Sequence, residues 1–132
     1  MRLFLQIDIS HWQQRGYDKP FSRYAPSLAS DLMAADVDSE SDVTVVDLVI
    51  RLVEQAEKVF VLIYAQPEMA LGSCSKLLNH FFKTENKIQF IVLSGKNEMT
   101  EKMVKPFGEK LRYEEDAEKI KQLIEEFALV KN

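Results

Sequence analysis

The chain has 132 residues and a formal net charge of −4, which allows one domain with one core and argues against a general nucleic-acid binder, since that would need a basic face. Cys74 is the sole cysteine, so no intrachain disulfide can form, as suits a reducing cytoplasm. Asp8 comes too early in MRLFLQIDIS for a signal-peptide core, and no apolar run approaches the ~20 residues of a membrane helix. The expectation is a soluble cytoplasmic domain with no membrane partner.

Residues 2–9 alternate. Leu3, Leu5, Ile7 and Ile9 share one face, and Phe4, Gln6 and Asp8 share the other. This half-polar strand predicts a sheet edge or an incomplete cover. Residues 10–25 read as a long loop kept irregular by Gly16 and Pro20. Pro26 suits the first turn of a helix whose apolar side is Leu28, Leu32, Met33 and Ala35. Residues 36–42, DVDSESD, read as an acidic linker. Residues 43–58 predict a strong helix with Asp42 as its N-cap. The many valines make a strand over 43–50 the alternative.

Residues 59–65, VFVLIYA, are apolar at every position and stop at Gln66-Pro67-Glu68. A run without alternation predicts a central parallel strand covered on both faces. A helix over 71–83 follows, with Leu71, Cys74, Leu77, Leu78, Phe81 and Phe82 inward. Next come a strand over 88–93 and a short helix with Met99, Met103 and Val104 inward. A short last strand over 110–113 and a helix over 116–130 complete the chain. This alternation predicts an α/β domain over 1–132. It is a three-layer sandwich around a mostly parallel sheet of four or five strands, with 110–113 as the fourth.

Ligands of such sheets lie beyond the carboxyl ends of the strands, so residues 66–75 are the first place to look for chemistry. Gly72-Ser73 opens a helix there, and free N–H groups at a helix start suit a phosphate or carboxylate. The plainer reading is a cap and a turn. The loop after the first strand sets Trp12, Tyr17, Phe21 and Tyr24 beside His11, Arg15, Lys19 and Arg23. Cations bind anions and aromatic rings stack on flat ligands, or the same rings anchor the loop. The candidate ligand-binding set is Asp8, His11, Trp12, Arg15, Gln66, Glu68, Gly72 and Ser73. Cys74 sits on an apolar stripe and reads as core. His80 falls on a wet face. Two histidines and one cysteine make no metal site, and no phosphate-loop, dinucleotide or nucleophile-elbow motif is present. No cofactor is expected.

The helix end Gln55-Ala56-Glu57-Lys58, running into the apolar strand and then to Gly72-Ser73 at the next helix start, resembles the TIR and nucleoside 2-deoxyribosyltransferase-like group. The resemblance covers about residues 43–93 and the first strand, and it implies a flavodoxin-like fold. Enzymes of that group cleave an N-glycosidic bond of a nucleoside or of NAD with a glutamate early in the helix after this strand. Aligning Gly72-Ser73 puts that position at Lys76, and a lysine cannot act as the carboxylate. Glu68 is the nearby carboxylate if the chain is an enzyme. The expectation is therefore a non-catalytic binding or signalling domain for a nucleotide-like or anionic ligand. An N-glycosidic enzyme and a protein-interaction module are the alternatives. The half-polar first strand and its aromatic loop further predict a homodimer with Trp12 and Tyr17 buried at its axis.

Overall fold

The computed structural model describes residues 1–11, 13 and 19–130. Five strands form one sheet: β1 (Arg2–Ile9), β2 (Leu32–Asp38), β3 (Lys58–Ala65), β4 (Ile88–Ser94) and β5 (Leu111–Tyr113). Their order is β2-β1-β3-β4-β5 and every pairing is parallel. Four helices link them, α1 (Pro20–Leu28), α2 (Val43–Gln55), α3 (Cys74–His80) and α4 (Glu98–Val104), and α5 (Ala117–Leu129) follows the last strand. The result is the flavodoxin-like α/β sandwich expected, with all five strands and no antiparallel one.

Side-chain parity divides the core into two layers. Leu3, Leu5, Ile7 and Ile9 of β1 join Val59, Val61 and Ile63 of β3 and the inner sides of α2 and α3. Phe4, Phe60, Leu62 and Val92 face the other way, onto Ala25 of α1 and Ile120, Ile124 and Phe127 of α5. Phe60 stacks on Phe4 at 5.6 Å and meets the edge of Phe127 at 5.6 Å. Residues of β3 from Val59 to Ile63 are fully buried, as the unbroken apolar run requires of a strand with helices on both faces. Cys74 is buried in the first layer.

Three expectations need correction. The stretch read as helix from Pro26 divides differently: α1 begins at Pro20, and Leu32–Asp38 is the second strand, paired along its length with β1. The ladder to β1 overrides the helix preference of Met33, Ala34 and Ala35. That strand also absorbs the first part of the supposed acidic linker. It follows that β1 is internal, between β2 and β3, and not an edge. Its polar residues Gln6 and Asp8 are buried, so the half-polar pattern reports a polar cluster inside the protein. The edge that motivated a dimer axis beside β1 does not exist, and Trp12 and Tyr17 lie outside the described residues. Last, Met99 and Phe82 are exposed, not inward, while Val104 is buried.

The strong helix over 43–58 forms as α2, and the strand alternative for 43–50 does not. Asp42 caps it by accepting the Thr44 N–H at 2.8 Å, satisfying one of the unpaired donors at a helix start. Asp116 caps α5 in the same way through Glu118.

Candidate functional site

Strand order runs outward from β1 in one direction and from β3 in the other. The crevice between their carboxyl ends is the switch point where such sheets bind ligands. Gln66 holds this crevice together. Its N–H donates to Ile9 O at 2.9 Å, and its side-chain Oε1 accepts the His11 N–H at 2.9 Å. Its carbonyl accepts from Asn97 Nδ2 at 2.8 Å. Asn97 is buried and also donates to Met69 O, while its Oδ1 caps α4 by accepting from Thr100. Gln66 and Asn97 therefore pin the ends of β1, β3 and β4 to one another.

A buried charged cluster lies on the α1 side. Asp8 is 6 % exposed, and Lys19 Nζ sits 3.0 Å from its carboxylate and 2.5 Å from that of Asp36 on β2. Gln6 Nε2 lies 3.3 Å from both oxygens of Asp8. Tyr64 of β3 is the register partner of Asp8 and points to the same face. Burial works against the Lys19 ammonium, but its hydrogen bonds to Asp36 and Asp8 outweigh burial and raise its pKa. Burial pushes the Tyr64 phenol up, and the Asp8 charge adds to this. Both groups keep their protons at neutral pH. Among the described residues, two carboxylates share one ammonium, which leaves an excess of negative charge within this group.

The other proposed site residues fall elsewhere. Gly72 has φ +55, and a Cβ there would lie 2.0 Å from the Ser39 carbonyl oxygen. Ser73 N–H donates to that same oxygen at 3.1 Å. The Gly72-Ser73 turn thus packs on the β2–α2 loop and presents no open anion cradle. Glu68 is exposed with φ 65. It lines a pocket of about 500 Å³ with Lys96, Met99 and Glu101 on the α4 side, away from the α1-side residues around Asp8. Lys76 pairs with Asp47 of α2 at 2.7 Å on an outer surface. His80 is less wet than its sequence position suggests: its ring is largely covered, with Nε2 3.4 Å from Glu54. His11 is exposed at the rim of the crevice. Trp12 and Arg15 lie outside the described residues.

Sequence reasoning missed Lys19 and Asp36 as partners of Asp8, and Tyr64 as its neighbour. Only the Asp8–Tyr64 parity was available beforehand, because it follows once the two strands pair in parallel. Among the described residues no group of three or more His, Cys, Asp or Glu side chains could hold a metal ion. No described helix is long and apolar enough to cross a membrane.

No family model matches the chain, and no curated protein matches it. Among solved structures, a de novo designed Rossmann fold protein aligns over 98 % of this chain and 100 % of its own, at 17 % identity and a TM-score of 0.39. A match at that level carries no functional argument; the strand order itself defines the architecture.

Proposed function

We propose that this chain is a binding or signalling domain of flavodoxin-like architecture, not an enzyme, that takes a small nucleoside-like ligand in the crevice over β1 and β3. The observation that carries the reading is the buried Asp8 at the switch point, facing Tyr64 and only part-neutralised by Lys19. A carboxylate there accepts hydrogen bonds from ligand hydroxyls, as an acidic residue does from ribose in sheets of this kind. Lys19 is already engaged by two carboxylates. A neutral sugar hydroxyl therefore suits the site better than a free phosphate. The placement of Lys76 on an outer surface and of Glu68 on the α4 side supports a role without glycosidic chemistry.

Calorimetric titration with adenosine, uridine, their monophosphates and inorganic phosphate tests this. Binding of a nucleoside that is lost in Asp8→Asn and weakened in Tyr64→Phe is expected. No heat from any nucleoside at millimolar concentration, or binding unaffected by Asp8→Asn, rejects it. Incubation with NAD or deoxynucleosides is expected to release no free base. Turnover abolished by Glu68→Gln would instead establish the enzyme reading.

A further inference from the structure

We infer that the free edge of β2 and the adjoining flank of α2 form a homodimer interface, in which two copies pair their β2 strands antiparallel about a twofold axis at Ala35. The inference does not depend on the ligand proposed above.

The edge is available and its hydrogen-bonding groups are self-complementary. In a parallel pair, alternate residues turn their N–H and C=O to the neighbour and the rest turn away. Ser39 N–H donates inward to Asp8 O, which places the N–H groups of Ala34, Asp36 and Asp38 on the outer side. Asp38 N–H is already taken by Ser41 Oγ at 3.0 Å. Among the described residues no backbone group pairs with the Ala34 and Asp36 N–H groups, and edge groups of this kind are a template for a further strand. A twofold axis through Ala35 sets Ala34 opposite Asp36 of the second copy, with Asp36 opposite its Ala34. These outward-facing residues then exchange N–H···O bonds reciprocally, as an antiparallel ladder requires.

Charge and shape agree with that register. No acidic residue meets its own symmetry mate, because each Asp36 faces an alanine. The Asp36 charge is held by Lys19 within its own chain. The small side chains of Ala34 and Ala35 let the two backbones approach.

Edge pairing alone covers little of the ~800 Å² per partner that a specific interface buries; α2 supplies the apolar remainder. Asp47, Ile50, Arg51 and Glu54 face α3, and Val46, Val49, Ile50 and Val53 are buried. The flank left toward β2 is Val45, Leu48 and Leu52. Val45 is 42 % exposed, Leu48 55 %, and Met33 on the β2 edge 46 %. Exposed apolar side chains on a helix flank next to a strand edge mark an association surface. A twofold axis meets that surface with itself.

Sedimentation velocity on the full chain at micromolar concentration tests the proposal, with Ala34→Pro and Leu48→Glu as variants. Proline at position 34 removes an outward N–H and leaves the ladder to β1 intact, the placement in which strands tolerate it. Leu48→Glu adds a charge at an exposed position. The expected result is a mass near twice 15.3 kDa for the parent and near 15.3 kDa for Leu48→Glu, with unchanged circular dichroism. If Ala34→Pro fails to fold, Leu48→Glu alone decides. A monomeric parent, or a dimer that persists in folded Leu48→Glu, overturns the inference.

Discussion

Replacing Lys19 by methionine tests the Asp8 cluster most directly. The substitution keeps the stem of the side chain and removes the ammonium. Lys19 occupies the N-cap position of α1 but makes no side-chain capping bond, so helix capping is unaffected. What changes is the environment of Asp8, which loses a cation at 3.0 Å while its side chain is only 9 % exposed. Removing one partner of a buried pair costs about 3–5 kcal/mol. Asp36, half exposed, loses far less because solvent screens it. Because the Lys19 side chain is itself 17 % exposed, water reaches the vacated position and the loss falls below the range for a fully buried pair, to about 2–3 kcal/mol. With an unfolding entropy of roughly 2.1 cal/mol/K per residue, this lowers Tm by about 7–11 °C for a chain of this size. Urea unfolding followed by circular dichroism gives the free energy, and Lys19→Met/Asp8→Asn completes a double-mutant cycle. The double variant should recover half or more of the loss, because the uncompensated charge is gone. A Lys19→Met cost below about 1 kcal/mol, the range of solvent-exposed pairs, would refute the reasoning. So would a double variant as unstable as the two single losses added.

Stability should fall as pH rises beyond the ordinary lysine range, about 10.4. Lys19 has a raised pKa when folded, so its contribution is complete below the unfolded value and is lost as pH climbs through the folded one. The raised Tyr64 phenol acts in the same direction, and Lys19→Met should flatten this alkaline limb in thermal melts. Gly72→Ala should cost about 3 kcal/mol or more, from left-handed backbone, collision with Ser39 O and a disturbed Ser73–Ser39 hydrogen bond. Gly108→Ala should cost less, about 1–3 kcal/mol from backbone strain alone at φ 57, ψ −117, since nothing lies within 4 Å of its Cβ position; a larger loss for Gly108→Ala than for Gly72→Ala would refute the contrast. Asn97→Ala should lose about 2–4 kcal/mol by stripping partners from Gln66 O, Met69 O and the Thr100 N–H. A loss below about 1 kcal/mol would show that solvent replaces them. Cys74, fully buried, should react with a thiol reagent only at the rate of unfolding. Immediate labelling of the native protein would contradict its place in the core.

Features set by local pattern were legible in the sequence. The apolar run of β3 has no wet face, so only a doubly covered strand satisfies it. Asp42 announced a helix start because capping is decided within a few residues. What depended on distant partners was not legible. Leu32–Asp38 carries methionine and alanines that fit a helix as well, and only pairing with β1 makes it a strand. Gly72-Ser73 has the local form of an anion cradle, but the group that meets it is the Ser39 carbonyl, brought in by that same unread strand.

The same missing strand explains the misreading of Asp8. A polar residue on a strand face is ambiguous between water and a buried partner, and sequence periodicity alone does not separate the two. Placing β2 on the free side of β1 removes the option of water. Asp8 then requires a cation, and Lys19, one residue before the proline that opens α1, is positioned to supply it. Asp36 enters as the second carboxylate because β2 pairs Gln6 with Asp36 in register, which sets it on the α1 face beside the Asp8 side chain. The candidate site is thus a consequence of strand order. With β2 at the edge and β3 on the other flank, the strand carrying Asp8 adjoins the point where the strand order reverses, the place at which sheets of this kind bind ligands.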